Sequence, residues 1–289
     1  MNLLVAKNWS DYSLLDSGEG ERLERFGEYI LSRPDPQAIW KKSLVLSEWQ
    51  KADATFVRES GDKGRWQKKG SMPSQWTIKY KNLIIICKLT PFKHTGVFPE
   101  QAVWWEEIKQ RVKETKRQSN ILNLFGYTGV ASLVAAEAGA KVTHVDSSYP
   151  TIGWAKENQK ESKLEDKPIR WILDDALKFC QRELKRGVKY DGIIMDPPIY
   201  GHGPKGEKWD FEKNFPELLE ICTKLLSDTP LFVIVNAYAI SASSIMLENV
   251  LKDFLKDGEI ESGEIVLEEQ NNAKRLLSTG IFVRWSKKN

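Results

Sequence analysis

The residues Ile121-Leu122-Asn123-Leu124-Phe125-Gly126-Tyr127-Thr128-Gly129-Val130 decide how this chain is read. Ile121 to Phe125 is an apolar run of strand type. Two glycines three apart follow, and an alanine-rich stretch from Val130 to Ala138 restarts as a helix. A strand that turns through glycine into a helix N-terminus is a small-molecule binding device. Glycine lets the backbone approach a ligand closely, and the helix start offers N–H groups with no partner inside the helix.

Toward the C-terminus, strand and helix alternate outward from this turn. A strand from Lys141 to Val145 ends at Asp146, and a helix covers Thr151 to Ser162. A strand from Ile169 to Leu173 ends at Asp174-Asp175, with a helix from Ala176 to Lys185. A strand from Tyr190 to Met195 ends at Asp196-Pro197-Pro198. A helix from Pro216 to Leu226, a strand from Pro230 to Asn236 and a helix from Ser243 to Lys256 follow. Two last strands, Gly263 to Glu268 and Leu277 to Trp285, are joined by the polar turn Gln270-Asn271-Asn272. The expected fold is α/β: a doubly wound, mostly parallel seven-stranded sheet whose terminal hairpin supplies one antiparallel strand. In such sheets ligands gather at the C-terminal strand ends. By this reading Asp146, Asp174, Asp175 and Asp196 all stand there.

Upstream the pattern changes. Residues 1–90 alternate as strands do, with turns at Ser17-Gly18-Glu19-Gly20 and Gly27 and a stop at Pro34-Asp35-Pro36. The expected division is a β-rich N-terminal domain, 1–90, and a catalytic domain, 91–289. Between Lys63 and Lys81 lie Lys63, Arg65, Lys68, Lys69, Lys79 and Lys81 with no acidic residue, interleaved with Trp66, Trp76 and Tyr80. Cations for phosphates and aromatic faces for bases are what RNA contact requires. The plain alternative is a solvated hairpin with its tryptophans in a core. The loop Thr90 to Gln101 leads to a helix that starts near Pro99 and runs to about Lys116.

Composition narrows the classes. The 289 residues are 41% hydrophobic, enough for a core. Lys and Arg outnumber Asp and Glu by 43 to 40, so a polyanion partner has to be argued from local patches. The N-terminal apolar run is too short for a signal peptide, and no stretch approaches the roughly 18–20 apolar residues of a membrane span. Cys87, Cys180 and Cys222 are scattered, which fits a reducing compartment. The expectation is a cytoplasmic protein. His94, His144 and His202 have no metal-ligand spacing, and no metal site is expected.

The glycines form Gly126-x-x-Gly129 and not G-x-G-x-x-G, which argues against a dinucleotide enzyme. A carboxylate at Asp146 can accept both hydroxyls of a ribose. The ordered set of glycine turn, Asp146, Asp175 and Asp196-Pro197-Pro198 describes a site for an adenosine with an amino-acid tail, S-adenosyl-L-methionine (SAM). In Asp196-Pro197-Pro198-Ile199-Tyr200 the prolines remove two backbone donors and hold the chain extended. The Asp196 carboxylate and the Pro197 carbonyl can accept from a planar amine, and Tyr200 can stack on it.

Residues from about 90 to 289 resemble class I SAM-dependent methyltransferases, and most of all the bacterial family that modifies bases of large-subunit ribosomal RNA. The resemblance rests on the run from His94 to Gln101, on Leu122 to Gly129, on Val145-Asp146, on Asp174 to Leu177 and on Asp196-Pro197-Pro198. It implies that Thr95, Phe98 and Gln101 fold against the cofactor. It implies that Asn123, Phe125, Gly126 and Gly129 hold the methionine part, that Asp146 binds ribose, and that Asp175 lies near adenine. Family members that make 5-methylcytosine need a cysteine nucleophile after the fourth or fifth strand. Here those strand ends carry Asp196-Pro197-Pro198 and Asn236-Ala237-Tyr238, without cysteine. The expected target is therefore a purine nitrogen, with Asp196, Pro197 and Tyr200 at the acceptor and RNA met by Lys63–Lys81 and the loop after Tyr200. A methyltransferase for protein or small-molecule amines, or a non-catalytic SAM- or RNA-binding module, is the alternative.

Overall fold

The computed structural model describes residues 2–7, 9–61, 63–238 and 242–287. In chain order the strands and helices begin with β1 (Asn2–Val5), β2 (Tyr12–Gly18), β3 (Glu21–Phe26), β4 (Tyr29–Pro34) and α1 (Leu46–Trp49). Then come β5 (Ala54–Ser60), β6 (Lys63–Lys68), β7 (Gln75–Tyr80), β8 (Leu83–Lys88) and, after a short 3-10 turn at Pro99–Gln101, α2 (Ala102–Glu114). The alternating part runs β9 (Asn120–Leu124), α3 (Val130–Glu137), β10 (Lys141–Asp146), α4 (Tyr149–Glu161), β11 (Ile169–Leu173), α5 (Ala176–Lys185) and β12 (Gly192–Met195). The chain closes with β13 (Tyr200–His202), β14 (Lys208–Asp210), α6 (Phe211–Lys224), β15 (Phe232–Ala237), α7 (Ser244–Phe254), β16 (Glu259–Glu268) and β17 (Leu276–Ser286).

The main sheet is α/β with the order β1-β16-β17-β15-β12-β9-β10-β11. Strands β15, β12, β9, β10 and β11 pair in parallel, and β17 pairs antiparallel with β15. It has eight strands, one more than expected, because Asn2–Val5 adds an edge strand too short to be read as one. β12 and β15 are buried along their whole length, since helices cover both faces of a parallel sheet. Below their ends Phe215, Leu218, Leu219, Met195, Val233 and Val235 form one apolar cluster. Helix α6 begins before the expected Pro216. Asp210 caps it by accepting the Lys213 N–H, and Pro216 sits inside it.

The chain packs as two compact units. One comprises Met1–Leu4, Val103–Ile265 and Thr279–Asn289, and the other Val5–Ala102 with Val266–Ser278. The sequence reading divides the chain at 90/91. Long-range bonds place two further segments with the N-terminal strands. Gln270 N donates to the Leu14 carbonyl at 2.8 Å, and the Ser17 hydroxyl donates to Glu269 at 2.6 Å. Lys88 N donates to the Thr95 carbonyl at 3.0 Å. Such pairings leave no trace in local periodicity.

Within this second unit β2-β3-β4-β5-β6 form one sheet and β7-β8 a ribbon. It encloses an ionic cluster. Glu24 accepts from Arg33 Nε at 2.7 Å, Arg33 Nη2 at 2.8 Å and the Tyr12 hydroxyl at 2.8 Å, and Arg22 Nε lies 3.3 Å away. All four residues are buried. Lys63, Arg65, Lys68, Lys69, Lys79 and Lys81 are all exposed. The aromatic part of that stretch follows the plain alternative at Trp76 and Tyr80. Trp76 and Tyr80 are buried, and the Trp76 indole donates to the Phe26 carbonyl at 3.1 Å. Alternation along β7 turns both rings inward and Lys79 outward.

Candidate active site

Strand register sets the site. Leu124 pairs with Val145 on one side and Met195 on the other, Val145 with Ile172, and Met195 with Val235. One residue further on, Asp146 still pairs with Leu173 and Asn236 with Phe282, while Phe125 and Asp196 are the first residues past the paired ends of β9 and β12. Asp174 and Asp175 follow one step beyond, with Asp174 N donating to the Asp146 carbonyl at 3.1 Å.

The glycine turn is more contorted than its two glycines imply. Phe125 (φ 54°), Tyr127 (φ 51°) and Gly129 (φ 82°) are all left-handed. For non-glycine residues this costs about 1–3 kcal/mol each and persists where surroundings enforce it. Here Gly126 N donates to the Val145 carbonyl at 3.2 Å, Tyr127 N to Asp146 Oδ2 at 2.9 Å, and Gly129 N to the Gly126 carbonyl at 3.0 Å. Gly126 is required by a close neighbour: a Cβ there would lie 2.4 Å from His144 Cε1. Gly129 starts α3 with no side-chain cap for the first N–H groups of the helix.

Beneath the turn Asn123 and His144 are buried and share Ser132. The Asn123 amide donates to Ser132 Oγ at 2.9 Å, and that hydroxyl lies 3.0 Å from His144 Nδ1. Burial drives the His144 pKa down to about 3, so the ring is neutral. One amide N–H of Asn123 thus goes to Ser132.

The acids divide their work. Asp146 Oδ1 accepts the Ser148 N–H at 2.9 Å and the Thr151 hydroxyl at 3.3 Å. Burial pushes its pKa up, and hydrogen bonds from Ser148, Tyr127 and Thr151 oppose that shift. Asp175 is the cap of α5, accepting Lys178 N at 2.9 Å, while Asp174 is ion-paired to Arg182. Asp196 and Pro197 follow β12, and Tyr200, 73% exposed, begins β13. Asn236 is buried, its side-chain carbonyl accepting the Trp104 indole at 2.8 Å. Trp209 belongs to no motif of the sequence, and its contact with Phe125 spans 84 residues. Its indole donates to the Pro198 carbonyl at 2.6 Å, and its ring lies 4.9 Å from that of Phe125.

In the other unit Thr95 is fully buried and its hydroxyl has no hydrogen-bond partner. The Phe98 ring lies 5.0 Å from that of His94, and Gln101 N closes the 3-10 turn on the Phe98 carbonyl at 3.0 Å. Burial, with Arg33 and Lys93 nearby, lowers the His94 pKa to about 3. Among the described residues no group of three metal-ligating side chains assembles, and no helix is long and apolar enough to cross a membrane.

A parallel sheet with a glycine turn and acids along its carboxyl edge defines a class I methyltransferase architecture. No protein-family model matches the chain. The crystal structure of the SAM-dependent methyltransferase from Agrobacterium tumefaciens is 43% identical, with a TM-score of 0.97 over 100% of this chain and 94% of that one. Ribosomal RNA large subunit methyltransferase K/L of Pseudoalteromonas atlantica is 34% identical over 278 residues, 89% of this chain and 36% of that protein. The protein of the same name in Shewanella frigidimarina is 35% identical over 205 residues, 70% of this chain and 27% of that protein. The chain thus spans about a third of the length of these curated relatives. It belongs to the SAM-dependent methyltransferases, and its cofactor is S-adenosyl-L-methionine.

Proposed function

We propose that the protein methylates a base of large-subunit ribosomal RNA, at a purine nitrogen. The observation that carries this reading is that Asp196 and Phe125 directly follow Met195 and Leu124, the paired ends of neighbouring strands, with exposed Tyr200 four residues after Asp196. An acceptor-side carboxylate and an aromatic face then lie beside the cofactor turn. The names of the curated relatives supply the ribosomal RNA.

The residues present fit SAM. The uncapped start of α3 and Gly126 would hold the methionine part, Asp146 would take the ribose hydroxyls, and Asp175 would flank adenine. Thr95, Phe98 and Gln101 are assigned to the same cofactor by their likeness to the family motif. When bound, SAM would supply a sulfonium methyl for transfer to the acceptor nitrogen, with S-adenosylhomocysteine as the leaving group. The chain's part is alignment and hydrogen bonding. Asp196 accepts from the target amine, and Tyr200 covers the base.

Cysteine chemistry supports a nitrogen target. Cys87, Cys180 and Cys222 are all buried, in β8, α5 and α6. Burial pushes the Cys87 thiol up, and the neighbouring Cys222 with burial does so for Cys180, the opposite of an activated nucleophile. The exposed cations of 63–81, together with Lys205 and Lys208 after Tyr200, are assigned to RNA phosphates.

The test is transfer of radiolabelled methyl groups to large-subunit ribosomal RNA from a strain lacking this protein, followed by mass-spectrometric mapping of the nucleotide. Methylation of a purine nitrogen is expected. Transfer to protein alone, or recovery of 5-methylcytosine, overturns the reading.

A further inference from the structure

We infer that Trp209 is a positioning residue that fixes which carbonyls of Asp196-Pro197-Pro198-Ile199-Tyr200 face the acceptor and couples that segment to the cofactor turn; this rests on the acceptor role proposed for the segment. Three observations meet at one side chain. The Trp209 N–H is spent on the Pro198 carbonyl at 2.6 Å. Its ring leans at 59° on Phe125, with centroids 4.9 Å apart. It is 5% exposed and lies opposite Gly201 in the β13–β14 pair.

The consequence is a count of acceptors. An Asp-Pro-Pro segment cannot donate from its proline nitrogens, so its chemistry lies in its carbonyls and its carboxylate. Trp209 takes the Pro198 carbonyl, and Phe211 N takes the Ile199 carbonyl at 2.9 Å. One lone pair on each of these two carbonyls is thereby committed within the chain, which fixes how the segment is turned. Phe125 is left-handed at φ 54°, and the indole is packed against that strained residue. The two ends of the site therefore share one rigid ring.

The experiment uses the full chain with Trp209→Phe, which keeps an aromatic ring and removes the donor, and Trp209→Ala, which removes both. Measurements are the affinity for S-adenosylhomocysteine by calorimetry, kcat and KM for transfer to unmethylated large-subunit ribosomal RNA, and Tm. For Trp209→Phe we expect S-adenosylhomocysteine affinity within twofold of wild type and kcat down at least tenfold. For Trp209→Ala the affinity should fall at least fivefold as well. Should Trp209→Phe fold poorly, β-(3-benzothienyl)alanine at position 209 keeps the bicyclic ring without the N–H and must show the same loss in kcat. Wild-type kcat and KM in a folded Trp209→Phe, while Asp196→Ala is inactive, overturn this inference alone. Wild-type activity in Asp196→Ala overturns the acceptor reading beneath it.

Discussion

Asp146 Oδ2 accepts the main-chain N–H of Tyr127 at 2.9 Å. The carboxylate at the end of β10 therefore holds the turn that ends β9, and with it the left-handed Tyr127 (φ 51°). One side chain serves both the shape of the turn and, in the proposed function, the ribose.

Asp146→Ala should lose both. Each hydrogen bond to a carboxylate is worth about 1.5–3 kcal/mol, and about 1.4 kcal/mol is a tenfold change in affinity. S-adenosylhomocysteine binding should weaken by roughly 10- to 100-fold by calorimetry. Unchanged affinity would remove Asp146 from the cofactor site.

Gly126→Ala should clash with the ring below it, since its Cβ would stand 2.4 Å from His144 Cε1. Overpacking of this kind costs about 1–3 kcal/mol. In urea unfolding, a double-mutant cycle with His144→Ala should show coupling, with the second change recovering part of the loss. Additive effects would mean that the ring simply moves aside.

Two histidines make the protein acid-sensitive. His94 and His144 are both lowered to about 3 by burial, against an ordinary value of 6.5. The folded chain keeps them neutral while the unfolded chain takes up protons below its own value. Stability should therefore fall as pH drops from 6.5 toward 3, by up to about 1.4 kcal/mol per pH unit for each ring. His144→Gln should flatten the dependence of unfolding free energy on pH by one proton. An unaltered slope would place the linkage elsewhere.

The Glu24 cluster should behave as an all-or-none element. Glu24→Gln leaves Arg22 and Arg33 buried without their shared carboxylate. Breaking a buried pair costs about 3–5 kcal/mol. A loss below about 1 kcal/mol in urea unfolding would show that water reaches the guanidinium groups.

Removing exposed cations should act on RNA alone. Lys63→Ala with Lys68→Ala should weaken RNA binding across sequences and lower the salt dependence by about one counterion for each phosphate no longer neutralised. Affinity for S-adenosylhomocysteine should stay at the wild-type value. An unchanged salt slope would move the RNA surface away from β6.

The sequence by itself determined the alternation of strands and helices, the glycine turn and the order of the acids, because each is a local pattern. Apolar runs, a period of two or 3.6 and a glycine before a helix are written in neighbouring residues. Only the tertiary structure decided what those residues do. Register paired Leu124 with Val145 and Met195, and Met195 with Val235, so that Phe125, Asp146, Asp196 and Asn236 follow at one end of the sheet; a one-residue slip would have scattered them. Chain folding turned Trp76 and Tyr80 into core and brought Trp209 onto Phe125. It also joined 266–278 to the N-terminal strands through Glu269 and Gln270, which bond to Ser17 and Leu14 more than 250 residues away. Such pairings depend on where distant segments meet, and periodicity carries no record of that.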